Sequence, residues 1–442
     1  MLNYLIFREE EMKKLLSVFV IFFIILQNLL CLHAEPLKED PPKLDAESYI
    51  LADLKSGKII YEHDADLKHY PASTTKILTA ALALENAKLD QVMTASKEAV
   101  NDIGKDGMNI GILPGEELTL DTLLHALLIR SANETANIIA ENVCPTRQEF
   151  VDLMNKKAQE LGATNTHFVN PCGSHNKDHY TTARDMLKIA RYCMSIPKFK
   201  EIVAMKDYTP PPTNKHDKWP VLGSTNIMIN AKSKYFTKVT GIKTGYTDPA
   251  GNNLISSAVD DSTGMELIGV VFGVGPNAGY HAVFKMSQEL LEYGFKNYAP
   301  MNIAQANSPI VKQSVKNAAN DTKVDLVTQE GLDAVLPKDS SNINITKEYK
   351  IDKDVTAPVK KGDIYGTVEY SVNGVSVGKV SLIASNDVAA KSNPLTIVKK
   401  TSSSNILKYV LGALFIAIGF IALRLSLKRV SRRINYKKSR KL

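Results

Sequence analysis

The feature that most limits the architecture of this chain is an uncharged apolar run near its C-terminus, Tyr409 to Leu423. The run is long enough to span a membrane as a helix if Ile406 and Leu407 are included. The Lys408 side chain would then extend its amine to the membrane–water interface. The run has no polar face, so a helix lying on the membrane surface is the less favoured interpretation. The sequence therefore predicts a transmembrane helix over residues 405–424.

A basic tail over residues 425–442 is predicted to follow this helix. Nine Lys or Arg and no acidic residue occur from Arg424 to the end, and they account for the whole formal net charge of +7. Because positive charge stays on the cytoplasmic side, the tail is expected inside and the body of the protein outside. No other basic cluster occurs, so the charge distribution excludes a nucleic-acid partner.

A second apolar run, at residues 15–26, follows two lysines and leads to a sequence that permits cleavage after Ala34. This is the layout of a secretory signal peptide, which we predict over residues 1–34. Met12 is an alternative start, and an uncleaved anchor is the alternative interpretation of the segment. Three cysteines follow the leader without the spacing of a metal or redox motif, and we expect them to be packed as small apolar residues.

The order of elements after the leader predicts the fold of the next segment, residues 35–298. Two strands around a turn at Ser56 and Gly57 come first, and several helices follow, among them one over 74–84 and one beginning near Asn133. Three strands and a closing helix end the segment. Strands at both ends and helices between them indicate one α/β unit whose antiparallel sheet is assembled from both ends of the segment.

From about residue 299 the pattern changes to short alternating strands. Asn373-Gly374 is a strong hairpin turn between two of them. The sequence therefore predicts a small all-β domain over 299–392. A linker over 393–404 is expected to connect it to the membrane helix.

A serine and a lysine three residues apart, Ser73 and Lys76, begin an apolar run that is predicted to be helical. Residues at this spacing share one face of a helix, so the Lys76 amine can reach the Ser73 hydroxyl. Free N–H groups and the helix dipole favour negative charge in a first turn, which suits an oxyanion formed when Ser73 attacks a carbonyl. A neutral lysine can serve as the base if burial and neighbouring cations lower its pKa.

A second pattern, Ser131 and Asn133, lies at the predicted break between two helices, where side chains can project into a cleft. The serine can relay a proton, and the asparagine amide can hold both a lysine and a substrate amide. Taken alone the pattern is weak, because Asn133 also suits a helix cap.

A third pattern lies on a predicted strand that contains Lys243, Thr244 and Thr247. These side chains offer a cation and hydroxyls to an anion, and Gly245 lets the backbone approach a ligand closely. Taken alone, this stretch is equally consistent with a polar edge strand.

Together the patterns Ser-x-x-Lys, Ser-x-Asn and Lys-Thr-Gly, at intervals of 58 and 112 residues, are those of penicillin-binding proteins and serine β-lactamases. Over about residues 45–298 the chain resembles the low-molecular-mass D-alanyl-D-alanine carboxypeptidases of that superfamily. The wider blocks that carry the resemblance are PASTTKILTA, LLIRSANETAN, FVNPCGSHNKDHYTTARDM and KTGYTDPAGNNLISSA. It implies an α/β (α+β) serine β-lactamase/penicillin-binding-protein-like catalytic domain with an antiparallel sheet and a helical subdomain. The small all-β domain and the C-terminal transmembrane helix then complete the layout.

The resemblance also implies roles for the residues of the three motifs. Ser73 would be the acylated nucleophile and Lys76 its base, Ser131 would pass the proton to the departing D-alanine, and Asn133 would orient Lys76 and the substrate. The substrate's terminal carboxylate would be bound by the third motif, made of Lys243, Thr244, Gly245, Tyr246 and Thr247. The oxyanion hole would be formed by the backbone N–H groups of Ser73 and Tyr246.

The same resemblance implies a substrate, inhibitors and a location. The substrate would be the peptidoglycan stem pentapeptide, from which the terminal D-alanine is removed, and β-lactam antibiotics would be covalent inhibitors. Neither a metal nor an organic cofactor is implied. The protein would be a single-pass protein of the bacterial cell membrane, held by its C-terminal helix, with its catalytic domain outside the cytoplasm.

The chain departs from the family pattern at three places. Cys172 and Ser174 stand where relatives often have histidine and leucine. A downstream arginine that helps to hold the carboxylate in some relatives is absent from residues 276–289, where His281 is a weak substitute. The Gly-Ser-Ser-Met motif of relatives is absent near Gly107 and Met108, which are expected at the rim of the cleft.

Other functions remain open at this stage. A β-lactamase of the closest class would need a glutamate near His167 for deacylation, whereas the nearest acid is Glu160. A D,D-endopeptidase of the same superfamily would use the same motifs. A non-catalytic penicillin-sensing or wall-binding anchored protein would keep the pocket but acylate once and stop, so turnover distinguishes it from an enzyme.

Overall fold

A computed structural model of the protein describes residues 40–104, 107–319, 322–339, 343–391 and 408–429. The predicted leader over 1–34 and the predicted linker over 393–404 lie outside these residues. The chain divides into two compact units, the first formed by Met1–Met301 with Ala334–Asn342 and the second by Asn302–Asp333 with Ile343–Leu442. The domain limits given above stay a prediction.

The first unit is built on strands from both ends of its sequence. Its strands are β1 (Ser48–Asp53), β2 (Ile59–His63), β3 (Val92–Thr94), β4 (Glu117–Thr119), β5 (Asp207–Tyr208), β6 (Leu222–Gly223), β7 (Lys238–Thr247), β8 (Gly251–Asp260) and β9 (Met265–Val274). Five of them form one antiparallel sheet in the order β2-β1-β9-β8-β7, so the strand pair near the N-terminus joins the three late strands. The predicted sheet assembled from both ends is confirmed.

Most helices of the first unit lie, in sequence, between the N-terminal strands β1 and β2 and the late strands β7, β8 and β9. The helices are α1 (Lys76–Asn86), α2 (Lys97–Asn101), α3 (Leu120–His125), α4 (Asn133–Val143), α5 (Arg147–Glu160), α6 (Ala183–Met194), α7 (Pro197–Val203) and α8 (Ala282–Asn297). A 3-10 turn, Ala72–Thr75, leads directly into α1, and a π-helical turn, Ala126–Arg130, continues α3. Two further 3-10 turns are Ile227–Asn230 and Pro276–Ala278.

The sheet separates two apolar layers of the first unit. Successive side chains of a strand point to opposite faces. Ile50 and Ala52 of β1 accordingly pack with the middle helices, and Tyr49 and Leu51 pack with the closing helix α8. Helix α1 is buried over most of its length within the first of these layers, so its N-terminus is held rigidly against the sheet.

The beginning of α1 differs from the predicted helix over 74–84. The Pro71 carbonyl accepts hydrogen bonds from the backbone N–H of Thr74 at 3.2 Å and from its hydroxyl at 2.7 Å, which closes a tighter i→i+3 turn. Ala72 has a positive φ of 48° just after the proline. Ser73 therefore lies in a 3-10 turn, and Lys76 is the first residue of the α-helix.

The second unit is a β-domain, as the alternating pattern predicts. Its strands are β11 (Pro309–Ser314), β12 (Lys323–Thr328), β14 (Ile345–Ile351), β15 (Ile364–Val372) and β16 (Val375–Ala384), in the sheet order β11-β12-β16-β15-β14. The predicted Asn373-Gly374 turn joins β15 to β16 with φ angles of 51° and 80°, so both residues have the left-handed conformation of a tight hairpin turn. Strands β10 (Tyr298–Ala304) and β13 (Leu332–Pro337) pair with each other in a separate two-stranded sheet.

A C-terminal helix, Lys408–Arg429, contains the apolar run. It has 22 residues and a mean hydropathy of 2.3 in its most apolar window, so its length and composition suffice to cross a membrane. The described part of the helix continues to Arg429, five residues beyond the predicted limit of 424 and within the sequence that we predict as the basic tail.

Candidate active site

Ser73 and Lys76 are in direct contact at the N-terminus of α1. The Lys76 amine lies 2.8 Å from the Ser73 hydroxyl oxygen. It also donates a hydrogen bond to the backbone carbonyl of Cys172 at 2.6 Å. The 3-10 turn places the hydroxyl over the start of the helix, so the predicted pairing of a serine with a lysine exists in the folded chain.

The environment of Lys76 favours its neutral form. The side chain is completely buried, and burial lowers its pKa to about 8, although Cys172 and Glu134 act in the opposite direction. At neutral pH a fraction on the order of one-tenth of the amines is then unprotonated. Lys76 can therefore accept a proton from Ser73.

A loop around Asn170 supplies the carbonyl that holds Lys76. The Asn170 side-chain oxygen accepts hydrogen bonds from the N–H groups of Gly173 at 2.7 Å and Ser174 at 3.0 Å, and its amide nitrogen donates to the Ser174 carbonyl at 2.8 Å. Gly173 has φ +85°, and a Cβ at this position would collide with the Ala72 carbonyl. The loop therefore packs directly on the turn that contains Ser73 and directs the Cys172 carbonyl at the Lys76 amine.

Ser131 occupies the end of the π-helical turn. It has a left-handed conformation, φ 66° and ψ 27°, which breaks the helix and turns the chain toward α4. Both Ser131 and Asn133 line the cleft that contains Ser73, as the predicted break between two helices requires. The capping residue of α4 is Ala132, so Asn133 is not a helix cap.

The described hydrogen bonds that Asn133 donates are made to residues before α4, and its role in orienting Lys76 stays a prediction. Its amide nitrogen donates to the Ile103 carbonyl at 2.8 Å, and its backbone N–H donates to the Met108 carbonyl at 2.7 Å. The neighbouring Glu134 accepts a hydrogen bond from the Ile110 N–H at 2.7 Å. Ile103, Met108 and Ile110 therefore lie over the start of α4, where their backbone groups are hydrogen-bonded to Asn133 and Glu134.

Lys243 is nearly inaccessible, with 1% of its surface exposed, on the edge strand β7. Its amine donates to the Thr244 carbonyl at 3.1 Å. Burial and the charge of Lys76 lower its pKa well below the usual range. Because two buried ammonium groups repel each other, the pair of lysines holds one proton more readily than two.

The hydroxyls of the third motif face the cleft. The hydroxyls of Thr244 and Thr225 form a hydrogen bond of 2.7 Å. Thr225 was not predicted from the sequence. The buried Thr247 hydroxyl has no hydrogen-bond partner among the described residues. At Gly245 a Cβ would lie 2.9 Å from the Pro71 carbonyl, so only glycine lets this strand approach the nucleophile turn so closely.

One cleft of about 670 Å³ unites these elements. The predicted site residues that line it are Ser73, Ser131, Asn133, Thr244, Gly245, Tyr246 and Thr247. Lys76 and Lys243 are buried and do not line it. Sequence reasoning missed the carbonyl of Cys172, which no residue type marks, and three cleft-lining side chains, those of Arg130, Thr225 and Tyr280.

A serine bonded to a buried lysine, beside a cleft with a Ser-x-Asn turn and a Lys-Thr-Gly edge strand, defines an active-site-serine hydrolase of the penicillin-binding protein class. The chain belongs to the D-alanyl-D-alanine carboxypeptidase family, whose family model matches residues 35–275. A second model, that of the penicillin-binding protein 5 C-terminal domain, matches residues 298–390.

Individual relatives agree with this assignment. The chain is 31% identical to the D-alanyl-D-alanine carboxypeptidase DacF of Bacillus subtilis over 88% of its own length and 98% of the relative's. It is 30% identical to DacC of Escherichia coli over 79% and 86% of the two chains. Penicillin-binding protein 5 of Haemophilus influenzae superposes with a TM-score of 0.65 and 28% identity, over 79% of this chain and 99% of that one. The predictions of the family, of the fold class and of a serine-type D-Ala-D-Ala carboxypeptidase that binds penicillins are confirmed.

Proposed function

We propose that this protein removes the terminal D-alanine from peptidoglycan stem pentapeptides through an acyl-enzyme on Ser73. The observation that carries the proposal is the 2.8 Å hydrogen bond between the Ser73 hydroxyl and the buried amine of Lys76. A hydroxyl at this distance from a base of lowered pKa is an activated nucleophile.

In the first step the Ser73 oxygen attacks the carbonyl carbon of the penultimate D-alanine, and its proton passes to Lys76. The negative charge that develops on the carbonyl oxygen is stabilised by the backbone N–H groups of Ser73 and Tyr246. The close approach at Gly245 supports this role, because it brings the end of β7 against the nucleophile turn.

In the second step the bond to the terminal D-alanine breaks. Ser131 donates a proton to the departing amine and is reprotonated from Lys76, so that D-alanine leaves with a neutral amino group. Water then attacks the ester carbonyl, the acyl group leaves as the shortened peptide, and Ser73 regains its proton. The left-handed turn at Ser131 supports this assignment, because it places Ser131 in the lining of the cleft that contains Ser73.

The third motif would bind the carboxylate of the terminal D-alanine. Thr244 and Thr247 line the cleft, and the buried Thr247 hydroxyl is unpaired within the described chain and available to a bound carboxylate. Lys243 lies behind them and contributes positive potential. Asn133 would hold the substrate amide with its side-chain oxygen, since its nitrogen is occupied by Ile103.

The C-terminal helix would tether the enzyme to the cell membrane from the outer side, with the stem peptides of the wall as the accessible substrate. The support is the apolar composition of Lys408–Arg429 and the basic residues that follow it in the sequence. Penicillins and other β-lactams would acylate Ser73 in place of the peptide.

The test is to incubate the purified full-length protein in detergent with labelled penicillin and, separately, with a D-alanyl-D-alanine peptide. We expect labelling at Ser73 and repeated release of D-alanine. Labelling without release would assign a penicillin sensor, and rapid release of hydrolysed penicillin would assign a β-lactamase. Cleavage of crosslinked dimers in preference to the pentapeptide would assign an endopeptidase.

A further inference from the structure

Arg130 lines the cleft immediately before Ser131 in the chain. It is exposed, and within the described part of the chain it makes no ion pair. Among the described lining residues it is the single Lys or Arg side chain. Both lysines of the motifs are buried and do not line the cleft, so Arg130 is the basic residue with a permanent charge in its described lining.

Two backbone hydrogen bonds place Arg130 on the same side of the cleft as the third motif. The Ile129 carbonyl accepts a hydrogen bond from the Thr225 N–H at 3.0 Å. The Tyr280 hydroxyl donates to the Thr225 carbonyl at 2.9 Å. Thr225 is therefore fixed between the segment of Arg130 and the segment of Tyr280, while its hydroxyl contacts Thr244 at 2.7 Å.

Tyr280 lines the same cleft as Arg130. Burial raises the pKa of the Tyr280 hydroxyl, and the charge of Arg130 opposes that rise. The lining acid, Asp248, is hydrogen-bonded to the Tyr246 hydroxyl at 2.8 Å.

We propose, on the basis of the proposed function, that Arg130 is the exposed cation that recognises the C-terminal carboxylate of the substrate. Lys243 is buried and gives a hydrogen bond to the Thr244 carbonyl, so it acts from behind the cleft surface and leaves room for a second, exposed cation. A guanidinium remains charged at every physiological pH and can bind a carboxylate through two parallel hydrogen bonds. Arg130 then gives the cleft its preference for a free C-terminus.

Two basic residues in the segment that follows β9, His281 and Lys285, lie outside the lining of the cleft. The Lys285 side chain is 81% exposed and lies 3.8 Å from Glu289 on the surface of α8. His281 packs beside Tyr280 at a ring distance of 5.6 Å. Neither residue lines the cleft, and Lys285→Gln is therefore a matched control that removes a nearby positive charge without changing the cleft surface.

The test compares kcat/KM for a D-alanyl-D-alanine peptide and for its C-terminal amide in the full-length protein. Arg130→Gln should lower kcat/KM for the free acid about tenfold, mainly through KM, and leave the amide within about twofold. Arg130→Lys should retain part of the preference, and Lys285→Gln should retain all of it. Equal losses on acid and amide would show a structural role, and an unchanged preference in Arg130→Gln would overturn the proposal.

A second measurement separates this inference from the proposed function. If the wild-type protein releases no D-alanine from either peptide, the proposed function fails, whereas Arg130 can still be tested with penicillin. The acylation rate constants of benzylpenicillin and its methyl ester would then be compared. Loss of the free-acid preference in Arg130→Gln would support the assignment of Arg130, and full retention would contradict it.

Discussion

The Lys76 amine and the Cys172 carbonyl, 96 positions apart in the sequence, are joined by a hydrogen bond of 2.6 Å. This contact fixes the lysine in the position from which it reaches Ser73. It also opposes deprotonation, because a carbonyl oxygen stabilises an ammonium donor. Burial is therefore the main cause of the lowered pKa of Lys76, and the loop around Cys172 sets the position of its amine.

Replacing Ser73 with alanine should abolish covalent labelling by penicillin and leave the thermal unfolding temperature within about 2 °C of wild type. The reason is that the hydroxyl is the proposed nucleophile, whereas its hydrogen bond within the described residues is the one with Lys76. Gel fluorescence with a labelled penicillin measures the first effect and calorimetry the second. Ser262→Ala, in an exposed turn, is the control and should label fully. Full labelling of Ser73→Ala would refute the assignment of the nucleophile.

The acylation rate should depend on pH through the protonation of Lys76. Its pKa of about 8 lies below the usual lysine range, so the neutral form grows about tenfold per pH unit below that value. We expect the acylation rate constant to rise with pH up to about 8 and then to level off. Lys76→Arg should show no such rise, since a guanidinium stays protonated. A rate that is flat between about pH 5.5 and 7 in the wild type would exclude Lys76 as the base.

A side chain at Gly173 should impair both stability and acylation. The position combines a φ of +85° with contact to the Ala72 carbonyl, so Gly173→Ala meets backbone strain and a collision with the nucleophile turn. Gly162→Ala is the matched control, because Gly162 has φ +73° with no atom within 4 Å of the added Cβ. We expect the control to lose about 1 kcal/mol of unfolding free energy and to keep its acylation rate. Gly173→Ala should lose at least about twice as much and acylate more slowly. Equal behaviour of the two variants would show that the loop does not position the site.

Sequence reasoning located the three motifs because each depends on residue type and local spacing. The sequence also predicted the β-domain of the second unit, because alternating apolar residues and the Asn373-Gly374 turn are local features. It could not locate the contribution of Cys172, because that group is a backbone carbonyl brought to Lys76 from a distant loop. Nor could it show that Lys243 is buried, because burial on an edge strand depends on which elements pack beside it.

Truncation before residue 405 should separate catalysis from membrane attachment. The helix Lys408–Arg429 follows all three motifs, and its composition is that of a membrane span. The truncated protein should appear in the soluble fraction and release D-alanine at the wild-type rate. Sedimentation of membranes and a D-alanine assay measure the two effects. Loss of D-alanine release from a folded truncated protein would mean that the helix contributes more than attachment.

The final prediction concerns Lys243, the buried cation of the third motif. Lys243→Ala removes a positive charge from behind Thr244 and Thr247, and an interaction with a carboxylate in a partly dry cleft is worth about 2–4 kcal/mol. Because the two buried amines repel each other, the variant should also raise the pKa of Lys76 and move the rising limb of the pH profile to higher pH. Lys243→Arg keeps the charge in another shape and should retain part of the activity. Lys238→Ala, at the exposed start of the same strand, is the control and should behave as wild type. If Lys243→Ala shifts the pH profile but still prefers the free acid to the amide, Lys243 acts on the base alone. The carboxylate would then be recognised by Arg130.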